Sequence, residues 1–153
     1  MIVLLDAGPL GMITNPRATA QNDQCRQWLA MLLANGVRVG LPEITDYEVR
    51  RELLRARRFS GIARLDQAKT TLEYLPLTTE VMLQAAALWA QARQRGQPTA
   101  PDLALDADVI LAAQALLLAQ QQGKPVIIAT TNVGHLACFV PAQQWQLIQP
   151  PIP

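Results

Sequence analysis

Three acids stand at places from which a fold can gather them for metal or phosphate chemistry. Asp6 follows the apolar run Ile2-Val3-Leu4-Leu5, Glu48 comes shortly after Leu41-Pro42-Glu43-Ile44, and Asp108 heads the apolar segment from Val109 to Ala113. A buried parallel strand that ends in a carboxylate delivers it to the carboxyl edge of its sheet, where α/β proteins place ligand sites. Carboxylates brought together repel one another unless a cation neutralises them, and hard divalent metals suit their oxygens. Each acid also has a structural reading. Asp6 can cap a turn through the amides of Gly8 or Leu10, and Glu48 can be an exposed helix residue paired with Arg51 or Arg55. Asp106 is a candidate N-cap for the apolar helix that follows it, and Asp102 falls in a loop. Asp108 resists such a reading. As the third residue of that helix it points a carboxylate into apolar surroundings, where it needs a partner.

Other chemistries lack their residues. His135 is the only histidine, no nucleophile elbow accompanies it, and it is read as structural. The chain has no GxGxxG and no GxxxxGK[ST], and Gly8 occupies the place where an Asp-x-Asp phosphotransferase carries its second acid. Cys25 and Cys138 lie too far apart for a CxxC pair, so reduced thiols are expected. A net charge of +1 gives no global sign of nucleic-acid binding. Arginine nevertheless crowds one stretch, at positions 50, 51, 55, 57, 58 and 64. That crowd is either a solvated helix face or a phosphate-contacting patch.

The elements that must position these groups follow from periodicity. Strands are expected at residues 2–5, 37–41, 72–77 and 126–129, the last delivering Thr130, Thr131 and Asn132 to the edge that holds Asp6. Helices are expected at about 18–34, from 45 onward through Glu48, at about 79–95 and at about 106–121. Ala7-Gly8-Pro9-Leu10 reads as a sharp turn and residues 96–101 as a loop. Cys25, Trp28, Leu29 and Leu32 form one stripe, read as core with a partner interface as the alternative, and Met82, Ala86, Trp89 and Arg93 form another. The apolar fraction of 50% over 153 residues supports one domain over 1–149 with a proline-rich tail at 150–153. Strands alternating with helices imply an α/β fold, a mainly parallel sheet covered on both faces. No run is long enough to span a bilayer and no leader precedes the first strand, so a cytoplasmic protein is expected.

Taken in order, Ile2-Val3-Leu4-Leu5-Asp6, Leu41 through Glu48, Asp108 through Ala113 and Thr130-Thr131-Asn132 resemble the acid-bearing segments of the PIN-domain family. The likeness is nearest to its VapC-like members from toxin–antitoxin systems. It implies a ribonuclease that uses Mg2+ or Mn2+ to hydrolyse RNA phosphodiester bonds. Asp6, Glu48, Asp108 and Asn132 would be catalytic. Asp6 and Asp108 would hold the metal directly, Glu48 would bind it or orient the water, and Asp106 would join them if it turned inward. Arg51, Arg55, Arg58 and Thr130 would contact the RNA. The likeness further implies a homodimer silenced by a small antitoxin. Three departures stand out: Ala7-Gly8 replaces a hydroxyl and an asparagine, Asn132 replaces an acid, and His135-Leu136 replaces an acid followed by phenylalanine. They leave open a catalytically weakened PIN module that acts by binding RNA or protein.

Overall fold

The computed structural model describes residues 1–96 and 102–152, with 102–105 as backbone alone. In chain order the elements are β1 (Ile2–Leu5), α1 (Ala7–Thr14), α2 (Ala20–Ala34), β2 (Arg38–Pro42), α3 (Glu43–Arg55), α4 (Phe59–Thr71), β3 (Glu73–Leu75), α5 (Thr79–Gln94), α6 (Asp102–Gln122), β4 (Val126–Thr130) and β5 (Ala142–Gln144). Short 3-10 turns occupy Leu136–Cys138 and Trp145–Leu147. All pairings are parallel, in the order β3-β2-β1-β4-β5. The chain therefore builds outward from β1 on one side, then returns to build on the other. Ligand sites of open parallel sheets lie beside such a reversal, beyond the carboxyl ends of the strands.

Every residue of β1 is shut off from solvent, as a central strand between two helical layers must be. Pleating sends Ile2 and Leu4 into a core shared with Val81, Ala85 and Leu88 of α5 and with the apolar flank of α6. Val3 and Leu5 enter the opposite core, among Leu10, Cys25, Trp28, Leu32, Val49 and Leu65. The stripe through Cys25, Trp28 and Leu32 is thus core. Burial pushes the Cys25 thiol up to about 12, so it is inert.

Local signals set the helix ends. Thr19 caps α2 by accepting from the Asn22 amide at 3.1 Å. The far end of α2 closes with two backbone bonds, Gly36 N to Leu33 O and Val37 N to Leu32 O, both 3.0 Å, with Gly36 at φ 73°. That left-handed residue closes the helix by satisfying two orphan carbonyls.

Several expectations need correction. Ala7 to Leu10 is the first part of helix α1 rather than a sharp turn, because Asp6 supplies the cap that starts it. Helix α6 begins at Asp102, so Asp102 is helical, Asp106 is not the N-cap, and Asp108 is the seventh residue rather than the third. On α5 the buried stripe is Val81, Ala85, Leu88 and Ala92, one residue before the one read from the sequence, and Met82 and Trp89 face outward. Helix α4 and strand β5 were not anticipated. The loop read at residues 96–101 lies outside the described residues apart from Gly96.

Candidate active site

Asp6 leaves β1 at its carboxyl end and starts α1. The Ala7 amide donates to its Oδ1 at 2.7 Å and the Thr130 hydroxyl to its Oδ2 at 2.7 Å. Thr130 is itself fully buried at the end of the neighbouring strand β4, and its oxygen accepts from the Asn132 amide at 3.0 Å. Both oxygens of Asp6 are therefore fixed in direction while each keeps a further lone pair. The loop after β4 comes so close that a Cβ on Gly8 would lie 2.4 Å from Thr131 Oγ1. A glycine is what this contact admits.

Glu48 and Asp108 approach the same place from α3 and α6. Burial, then the negative charge of Asp6, raises the Glu48 carboxyl to about 7; Arg51 opposes this, and Asp108 adds the smallest contribution. Burial, then Asp6, raises Asp108 to about 6, and His135 opposes this. The three acids thus lie within electrostatic reach of one another, and at neutral pH Glu48 sits near its midpoint. Hard oxygens in mutual repulsion fit a divalent cation. Among the described residues, however, no three His, Cys, Asp or Glu side chains stand close enough to surround one ion as they lie. A shared ion requires at least one carboxylate side chain to swing inward.

Glu48 also lines a groove of about 700 Å³ that runs between α1, the loop through Arg17, and the corner where α3 meets α4. Arg17, Arg55, Arg57 and Arg58 line it against only two acids, Glu48 and Glu52. Arg55 is held by Glu52 at 2.8 Å. Among the described residues no ion pair holds Arg17, Arg57 or Arg58. The corner closes α3 with the same bonds that end α2, Arg57 N to Leu54 O at 3.1 Å and Arg58 N to Leu53 O at 2.9 Å. Here the left-handed residue is Arg57, at φ 53°. A side chain in that conformation costs about 1 kcal/mol or more relative to glycine.

No family model matches this sequence, and no curated protein is detectably similar to it. Solved structures are similar. A chain of VapBC2 from Rickettsia felis, bound to a DNA fragment from its promoter, superposes with a TM-score of 0.71 at 16% identity, covering 95% of this chain and 99% of that one. The fold is the PIN-domain fold. FitAcB from Neisseria gonorrhoeae matches with a TM-score of 0.67 at 22% identity, over 96% of this chain and 100% of that one. VapBC-1 from nontypeable Haemophilus influenzae gives 0.67 at 16% identity, over 95% and 99%.

On this PIN fold the sequence-derived candidates separate. Asp6, Glu48 and Asp108 lie within electrostatic reach of one another without closing around one ion, with Thr130 at the end of β4 and Asn132 on the loop after it. Asp106 is exposed, and a residue two positions from Asp108 on a helix faces away from it. Thr130 stands behind Asp6 as its hydrogen-bond donor, with no surface left for a substrate. Arg55 and Arg58 line the groove, whereas Arg51 lies over the Tyr47 ring, 5.2 Å from its centroid. Arg50 is tied to Asp46 and Asp66. His135, read as structural, acts electrostatically on Asp108. The sequence reading missed Arg17 as a groove residue, since the loop carrying it showed no periodicity, and missed Phe59 because α4 was not recognised.

Proposed function

We propose that this protein is a divalent-metal-dependent endoribonuclease, the toxin of a VapBC-type toxin–antitoxin pair acting in the cytoplasm. The observation that carries the reading is the mutual repulsion of Asp6, Glu48 and Asp108 at the carboxyl edge of a PIN fold, opening onto an arginine-lined groove. Asp6 and Asp108 would hold Mg2+ or Mn2+, with Glu48 as third ligand or proton acceptor. When bound, the ion supplies charge stabilisation at the phosphoryl oxygens and lowers the pKa of water. Arg55 and Arg58 draw the RNA backbone toward the acids. Water adds to phosphorus as the bond to the leaving oxygen breaks, and a Glu48 carboxylate oxygen accepts the proton. Thr130 keeps Asp6 aimed throughout.

Two of the similar solved structures, VapBC2 and VapBC-1, are VapBC proteins, which supports a small antitoxin as partner. Met82, Leu83 and Trp89 on the outer side of α5 offer an apolar face for a second copy. Sedimentation of the purified protein tests that homodimer. For the activity, RNA is incubated with and without Mg2+ or Mn2+; cleavage that needs metal and disappears in Asp6→Asn and Asp108→Asn is expected. Equal cleavage by wild type and both variants sinks the reading. The alternative, a weakened PIN module that binds RNA, is favoured by the unconverged carboxylates and by Asn132 in place of an acid. It predicts salt-sensitive RNA binding without turnover.

A further inference from the structure

We propose that the corner between α3 and α4 is a nucleotide seat: Phe59 stacks an unpaired base next to the scissile phosphate, while Arg57, Arg58 and Arg17 hold the flanking phosphates. The proposal rests on the ribonuclease reading and names where this chain grips its substrate. Phe59, the first residue of α4, is 69% exposed and lines the groove that also contains Glu48. An exposed phenyl ring beside unpaired guanidiniums matches what single-stranded nucleic acid presents, a flat apolar base on a charged backbone. Apolar Val49, Leu53 and Ala56 line the groove together with the arginines. Its volume of about 700 Å³ is ample for a base and sugar. Because Glu48 lines the same groove, the seated nucleotide shares a surface with that acid.

Arg57 adds a second line of argument. The α3 turn has the bond pattern that glycine closes most easily, yet it carries arginine in the left-handed conformation. Local stability is given up there for a side chain on the groove rim. A base in a paired duplex cannot reach the ring, because it would have to leave its stack to enter the concavity. An acidic peptide would satisfy the guanidiniums but has no flat base for Phe59, so RNA is the better occupant.

The test uses the full-length Asp108→Asn protein, in which binding is read without cleavage. A short single-stranded RNA carrying a fluorescent adenine analogue is titrated into it and into the same protein bearing Phe59→Ala, Phe59→Trp or Arg57→Gly. Quenching on binding is expected, with about tenfold weaker affinity and no quench for Phe59→Ala and recovery of both in Phe59→Trp. Arg57→Gly should weaken binding several-fold and lower the salt slope by about one. A fully paired duplex should give no quench. Wild-type affinity and quench in both Phe59→Ala and Arg57→Gly overturn the seat. Binding of a glutamate-rich peptide by a protein that binds no RNA overturns it in favour of a protein partner. The two readings separate: metal-dependent cleavage indifferent to Phe59 keeps the nuclease and removes the seat, whereas ring-dependent binding without turnover keeps the seat and removes the nuclease.

Discussion

Helices α2 and α3 end with the same pair of backbone hydrogen bonds, but Gly36 makes the left-handed turn in one and Arg57 makes it in the other. The α2 end is not part of the arginine groove and follows the rule of least strain. The α3 end borders the arginine groove and departs from it. Glu48 and Asp108 depart in the same sense, since half-buried carboxylates with raised pKa values oppose the folded state at neutral pH. Departures from local rules concentrate around functional sites, where chemistry rather than stability selects the residue. The contrast therefore separates positions that hold the PIN fold from positions that use it.

The largest expected effect is on turnover. Asp108→Asn should lower metal-dependent RNA cleavage at least about a hundredfold, the scale of losing a catalytic group, while the melting temperature at neutral pH stays level or rises. A fall in both places Asp108 with the structural residues and breaks the contrast. Next comes Leu65→Ala, on the structural side, which removes a fully buried side chain and should destabilise the fold by about 2–5 kcal/mol in denaturant titration.

The acids predict an unusual pH response. Glu48 and Asp108 have folded values near 7 and 6, above their ordinary 4.5 and 3.8. Protonation of these two groups thus favours the folded state; that contribution is complete below the ordinary values and is lost as pH rises through about 6 and then 7. In the metal-free protein they should lower the melting temperature between about pH 5 and pH 8, and Mg2+ should restore more of it at pH 8. Glu48→Gln should flatten the same profile. A Glu48→Gln profile as steep as that of wild type removes Glu48 from the cluster.

The smallest effects sharpen the comparison of helix ends. Arg57→Gly should raise stability by about 1 kcal/mol, and Gly36→Arg should lower it by about as much, both read from denaturant midpoints. Only the first should change RNA affinity.

The sheet was legible because its central strands are largely apolar runs, and the acids because Asp6 ends one such strand, Glu48 follows another within a turn or two of helix, and Asp108 heads an apolar helical segment. Helix α4 was hidden because only Gly61 and Leu65 of its thirteen residues are buried, too few for a readable stripe. Strand β5 is a three-residue edge, Ala142–Gln144, with two exposed glutamines and no alternation. The start of α6 is misplaced in the sequence because Asp106 is a good N-cap residue and Asp102 adjoins a Pro- and Gly-containing stretch, whereas the helix already includes Asp102. The sequence places Thr130 at the edge that holds Asp6 but reads it as an RNA contact; its hydrogen bond to Asp6, 124 positions away, shows only where β1 pairs with β4.

The two cysteines differ in one practical respect. Cys25 is sealed in the core with its proton held tightly, whereas Cys138 is exposed, three residues beyond His135. A maleimide dye added to the native protein should therefore attach at one position, Cys138. No cysteine need be removed first, and the single fluorophore makes the unaltered protein visible in binding and sedimentation measurements.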